Sequence, residues 1–248
     1  LDTRAVEQAT QATAELGTDF HQHCSFSPPV AQLQLCKLMW LDANSSTFPD
    51  DAQCVSLPGF IGVKLGIENV IDRNTAAMGG VYSIKTRTWH SGATRLTGLG
   101  RTQFPQLVAV GDRLALPETC PHTGLRSDCL FVLAGNDQTA GAIGNGCDVN
   151  RVVVTLGTAL VAYRHAGEHA GPFSPNGCWG PYPGGGFYEL ATCDEGCKAL
   201  DWAVEWISGD RSVSAFDSLA ETCRKRMGHD ISGMPMFYPD RIGDDNAW

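Results

Sequence analysis

Apolar and polar positions alternate along this chain in a way that sets the order of its elements. Residues 1–16 carry Leu1, Ala5, Ala9, Ala12 and Leu16 at helical spacing, with Gly17 as a stop. Ser27-Pro28-Pro29 interrupts the chain, and residues 33–43 predict a short apolar helix before a polar turn cluster at 44–51. Residues 130–134 are an unbroken apolar run, the pattern of a buried strand in a parallel sheet. The run stops at Gly135-Asn136 and delivers Asp137 and Gln138 at its carboxyl end, where open α/β sheets place their ligand crevices. Small residues at 139–146 predict a closely packed helix. A hairpin then follows, 152–155 and 159–163, turned at Leu156-Gly157-Thr158. Residues 171–186 have the glycine, proline and aromatic content of a long functional loop. Thr192 and Glu195 have capping-box spacing at the head of a helix with Cys197, Leu200, Val204 and Ile207 as its predicted buried stripe. Ser212 opens a last helix, with Val213, Phe216, Leu219, Ala220, Cys223 and Met227 as its stripe.

The run from Gly135 to Gly146 has the pattern G-x-D-Q-x-x-x-A-x-G-x-G and leads into a strand ending in Leu156-Gly157-Thr158. It resembles the FGGY carbohydrate kinases. Asp2-Thr3-Arg4 resembles part of that family's W-x-D-x-R segment, which lies close to the sugar. A solvated first helical turn reads those three residues equally well. Cys36-Lys37-Leu38-Met39-Trp40-Leu41 is similar to its P-K-L-x-W-L, with cysteine replacing proline. Residues 73–77 are similar to d-x-S-x-A, and Tyr82-Ser83-Ile84 with Trp89 to Y-D-i…W, with Ser83 replacing aspartate. The resemblance is continuous from residue 1 to about residue 210, and residues 236–248 resemble a later family segment only loosely.

The resemblance implies an α/β, ribonuclease H-like (actin/hexokinase-type ATPase) fold in two domains, incomplete at both ends. Residues 1–145 would be the later part of the amino-terminal sugar-binding domain. Residues 146–248 would begin the carboxyl-terminal, nucleotide-binding domain. The family's D-x-G-T phosphate loop and its later glycine-rich adenosine segment are absent from these 248 residues. The implied activity is transfer of the γ-phosphate of ATP, with Mg²⁺, to a hydroxyl of a pentose, ketose or polyol. The segment beginning Ser27-Pro28 faintly suggests ketopentose kinases such as ribulokinases.

In that chemistry a sugar hydroxyl is a poor nucleophile until its proton can leave, and a carboxylate within hydrogen-bond reach accepts it. Asp137 is the implied catalytic base and sugar ligand, with Gln138 beside it able both to donate and to accept. Gly157, Thr158 and Gly196 are the implied nucleotide-binding residues. Two plainer readings stay open: Asp137 as a helix cap, and Gly157-Thr158 as an ordinary tight turn. The whole chain also admits a second reading, as a catalytically inactive, kinase-derived fragment or binding module.

Composition trims this picture. The chain is 43% hydrophobic and 18% charged, an ordinary globular balance. A formal charge of −9, without a basic stripe, argues against nucleic-acid partners. No apolar run approaches the ~20 residues of a membrane span. The partner expected is a small sugar, with a homodimer possible. Ten cysteines raise the question of a secreted disulfide framework. Several fall on helical apolar stripes, so reduced thiols and a cytoplasmic location are expected instead. His21 and His23 share a direction only on a strand and lack an evident third ligand, so no metal site is predicted.

Overall fold

The computed structural model describes residues 2–26, 28–45, 48–117, 124–126, 128–157, 159–168, 177–193 and 196–227. The chain divides into two compact units, Leu1–Val153 with Tyr163–Leu190, and Val154–Ala162 with Ala191–Trp248.

In the larger unit, α1 (Val6–Leu16) packs on α2 (Gln34–Asn44), which buries Leu35, Cys36 and Met39. The apolar spacing of residues 33–43 is thus realised as a helix within one residue of its predicted ends. Helix α3 (Leu57–Lys64) starts at Ser56, whose hydroxyl accepts the Gly59 N–H. Its glycines allow close packing: a Cβ on Gly59 would stand 2.8 Å from the Val70 carbonyl, and one on Gly62 3.2 Å from the Phe131 ring. Strand β1 (Val70–Asp72) ends at Asp72, which caps the short α4 (Arg73–Ala77) through the Thr75 N–H and hydroxyl, both at 2.8 Å. Strands β2 (Tyr82–Ser83) and β3 (Thr88–Trp89) form an antiparallel pair, and α5 (Ser91–Leu96) follows. Strand β4 (Gln106–Val108) lies parallel to β1, with Ile71 opposite Leu107.

Strands β5 (Arg113–Ala115) and β6 (Leu130–Val132) pair antiparallel, with Leu114 opposite Phe131. This corrects the expectation of a buried parallel strand at 130–134. Successive side chains on a strand point to opposite faces, and only the face of Phe131 and Leu133 is packed. Leu130 and Val132 remain 50% and 46% exposed. An apolar run does not distinguish a doubly covered strand from a ribbon covered on one side.

Helix α6 (Asp137–Gly144) leads to β7 (Val152–Leu156), β8 (Leu160–Gly167), β9 (Cys178–Pro181) and β10 (Phe187–Cys193), in the sheet order β7-β8-β10-β9. The largest core gathers Leu35, Cys36, Val81, Tyr82, Trp89 and Trp179.

The smaller unit holds α7 (Gly196–Ser208) and α8 (Val213–Met227). Two expectations fail here. Thr192 lies in β10 and therefore caps no helix, while Glu195 falls outside the described residues. Of the predicted stripes, Val204 is buried, but Leu200, Ile207, Val213 and Phe216 are 43%, 61%, 77% and 39% exposed. Among the described residues of this unit, nothing is packed over those positions. Ser212 does cap α8 through the Ala215 N–H at 3.2 Å.

Candidate functional site

The turn between β6 and α6 is built around one buried side chain. Gly135 takes a left-handed φ of 82°, and a Cβ there would lie 2.9 Å from Asn74 Oδ1. That oxygen accepts the Asn136 backbone N–H at 2.9 Å and the Asn136 side-chain amide at 2.7 Å. Asn74 is 1% exposed, and its own Nδ2 donates to Thr139 Oγ1 at 3.0 Å and to the Pro181 carbonyl at 2.9 Å. The Thr139 hydroxyl is also 2.8 Å from the Tyr163 hydroxyl, and the Tyr163 ring stacks on Tyr188. Burial, with the neighbouring Tyr188, pushes the Tyr163 hydroxyl up, the Thr139 hydrogen bond opposing.

Asn136 supplies the cap of α6, accepting the Thr139 N–H at 2.9 Å. Asp137 is therefore the first residue of the helix, not its cap. Its carboxylate is exposed, and Oδ1 accepts the Gln138 N–H at 2.8 Å. A negative charge in the first turn is favoured by the helix dipole. The next residue, Gln138, is half-buried.

Gly157 and Gly196 meet in the other unit. The Gly157 N–H donates to the Ala159 carbonyl at 3.0 Å, closing the turn after β7. The Gly157 carbonyl accepts the Cys197 N–H at 2.8 Å, which ties that turn to the amino end of α7. A Cβ on Gly196 would stand 2.5–2.7 Å from backbone atoms of Ala159, Leu160 and Gly157. Only glycine fits there. Thr158 lies outside the described residues.

Asp2 and Arg4 form a bidentate ion pair, Nε to Oδ1 at 3.0 Å and Nη2 to Oδ2 at 2.8 Å. The Arg4 guanidinium beside Asp2 holds that carboxyl well below the usual carboxylate range. The same guanidinium lies 4.3 Å over the Trp40 ring, so two of the matched segments touch. His23 Nδ1 is 2.7 Å from the hydroxyl of Ser83, the residue standing where the resemblance has aspartate. Among the described residues no three histidine, cysteine or carboxylate side chains converge as a metal site. A cavity of about 590 Å³, lined by Gln34, Lys37, Cys54, Ser56, Thr75 and Met78 among others, contains none of the predicted site residues.

Asn74 is the residue that sequence reasoning passed over. It sits in a segment read as scaffold, and only the fold shows that its amide reaches residues 62 and 107 positions away.

No protein-family model and no curated protein matches the chain. Solved structures do. The xylulose kinase from Rhodospirillum rubrum aligns with a TM-score of 0.80 at 20% identity, over 90% of this chain and 46% of that one. Gluconate kinase from Lactobacillus acidophilus aligns at 0.73 and 18% identity, again over 90% and 46%. Plasmodium falciparum glycerol kinase with ADP aligns at 0.75 and 15%, with the same coverage. The chain therefore has the α/β fold of these sugar kinases and spans under half of their length. No helix among the described residues is long and apolar enough to cross a membrane.

Proposed function

We propose that this chain is part of an FGGY-type carbohydrate kinase that transfers the γ-phosphate of ATP to a hydroxyl of a pentose, ketose or polyol. The carrying observation is the turn at 135–139. Asn136 takes over the capping of α6, which leaves the Asp137 carboxylate exposed at the helix start and free to accept a proton. In this reading the sugar hydroxyl gives its proton to Asp137 as its oxygen attacks phosphorus, and Gln138 holds a neighbouring hydroxyl. Residues 1–145 belong to the sugar-binding domain and residues from 146 onward to the nucleotide-binding domain.

In the same reading the nucleotide is held at the second site, which the resemblance assigns to Gly157, Thr158 and Gly196. Gly157 and Gly196 carry no side chains, their backbones touch, and α7 begins at their junction. Helix amino ends and bare backbone suit phosphate oxygens. Gly157, Thr158 and the first turn of α7 would hold ATP, whose bound Mg²⁺ supplies charge compensation at the phosphates. Positioning and charge stabilisation supply most of the catalysis in phosphoryl transfer.

The alternative is a catalytically inactive, kinase-derived binding module, favoured by apolar side chains left exposed among the described residues of α7 and α8: Leu200, Ile207 and Val213. These 248 residues alone are expected to be inactive or nearly so, and one assay on the complete protein that contains them separates the two readings: ADP release across pentoses, ketoses and polyols. Turnover that is lost on Asp137→Asn supports the kinase. Sugar binding without turnover supports the module.

A further inference from the structure

We infer that Asn74 is the positioning residue for Asp137, an inference that rests on reading Asp137 as the proton acceptor. An asparagine amide has two lone pairs and two N–H groups. At Asn74 all four have partners: Asn136 twice, Thr139 and the Pro181 carbonyl, at 2.7–3.0 Å. Those partners lie on three separate segments: the turn before α6, the first turn of α6, and the end of β9. Asn74 itself sits on α4, beside Asp72, whose carboxylate fixes that helix to the end of β1.

A chain of fixed groups thus runs from β1 through α4 to the residue immediately before Asp137. Asp137 is exposed, and among the described residues its carboxylate bonds locally through Oδ1, so its direction is set by its backbone. Asn74 fixes that backbone from the buried side. A general base must stand within about 0.5 Å of its working position, and a misplacement of about 1 Å costs roughly 10²-fold in rate. No other natural side chain of this size supplies two acceptor and two donor directions without charge. Aspartate would lose both donors, and alanine would leave buried partners unpaired.

The test uses Asn74→Ala and Thr139→Val in this chain. Thr139→Val keeps the shape of Thr139 and removes the hydroxyl that meets both Asn74 and Tyr163, so it serves if Asn74→Ala does not fold, with Tyr163→Phe, which removes only the second contact, as its control. Amide exchange is followed by NMR at Asn136 and Thr139, with Gln106, bonded to the Asn69 carbonyl at 2.9 Å, as a distant reporter. The χ1 couplings of Asp137 are measured alongside. The expected result is exchange at Asn136 and Thr139 about tenfold faster, averaging of Asp137 χ1, and an unchanged Gln106. A uniform change at all three amides, or none at Asn136 and Thr139, would overturn the inference and leave Asn74 merely structural. Where turnover is measured, kcat should fall by about 10–100-fold in Asn74→Ala and by far less in an Asp137→Asn background. Full kcat in Asn74→Ala would overturn it too. A complete wild-type protein without turnover counts against the kinase reading alone, because exchange and χ1 judge Asn74 independently.

Discussion

Gly196 lies against Gly157 so closely that a methyl group on Gly196 would stand 2.7 Å from the Gly157 carbonyl oxygen. The neighbouring Cys197 N–H donates to that same oxygen at 2.8 Å, so neither backbone has room to retreat. Gly196→Ala should cost about 1–3 kcal/mol, the range of overpacking into fixed neighbours. The loss should appear in thermal unfolding followed by Trp202 and Trp206, whose rings stack at 5.8 Å on α7. ATP affinity, measured by titration calorimetry, should fall with it. An unchanged unfolding midpoint would show that the α7 start slides freely past the turn.

Asp137→Asn should behave in the opposite way. The residue is exposed, and asparagine keeps an Oδ1 that can accept the Gln138 N–H. Surface changes of this kind stay within about 0.5 kcal/mol. A general base contributes about 10²–10⁴-fold, so turnover of the complete protein should drop by that factor while urea unfolding curves superimpose. Destabilisation beyond that range would mean that the carboxylate is a structural group.

The described thiols sort by burial. Cys24, Cys36 and Cys54 are buried, and burial pushes their thiols up to about 12, 11 and 11. Cys223 is exposed. Since the thiolate is the reacting form, a short iodoacetamide pulse at pH 8 should modify Cys223 and spare those three. Peptide mass spectrometry reads the pattern, and the protected cysteines should react once the chain is unfolded in urea. Rapid labelling of Cys24 in folded protein would contradict its placement.

Much of this was legible in the residues, and the failures have common causes. Spacing alone placed α2, the turn at Leu156-Gly157 and the Ser212 cap of α8, because each depends on neighbours within a few positions. The pairing of β6 with β5 was not legible, since antiparallel partners 17 residues apart leave the same apolar run as a buried parallel strand. The stripe on α8 was predicted correctly as apolar but not as exposed, because burial depends on what else the unit contains. In the site, Asp137 was visible from its position after an apolar run. Asn74 was not, because its partners are distant in sequence and an isolated asparagine carries no pattern.

The last expectation concerns pH. His90 caps α5 by accepting the Ala93 N–H on Nδ1 at 3.1 Å, so that nitrogen must be unprotonated in the fold. The ring packs edge-on against Phe20 at 5.3 Å and against His23 at 4.8 Å. Burial first, and then the neighbouring His23, lowers the pKa of His90 below its ordinary value. The unfolded chain therefore binds this proton at a higher pH than the folded one does. By linkage, the stability carried by neutral His90 is fully present above the ordinary histidine range, near 6.5, and is lost as pH falls through that range. Protonation also removes the acceptor of the cap. The urea midpoint should thus fall between pH 7.5 and pH 5.5. His90→Asn is the decisive variant, because asparagine is among the best amino-terminal caps and does not titrate. Its midpoint at pH 7.5 should fall by the lost ring contacts with Phe20 and His23, and its decline toward pH 5.5 should be visibly shallower. Equal slopes in the two proteins would assign the acid sensitivity to other groups.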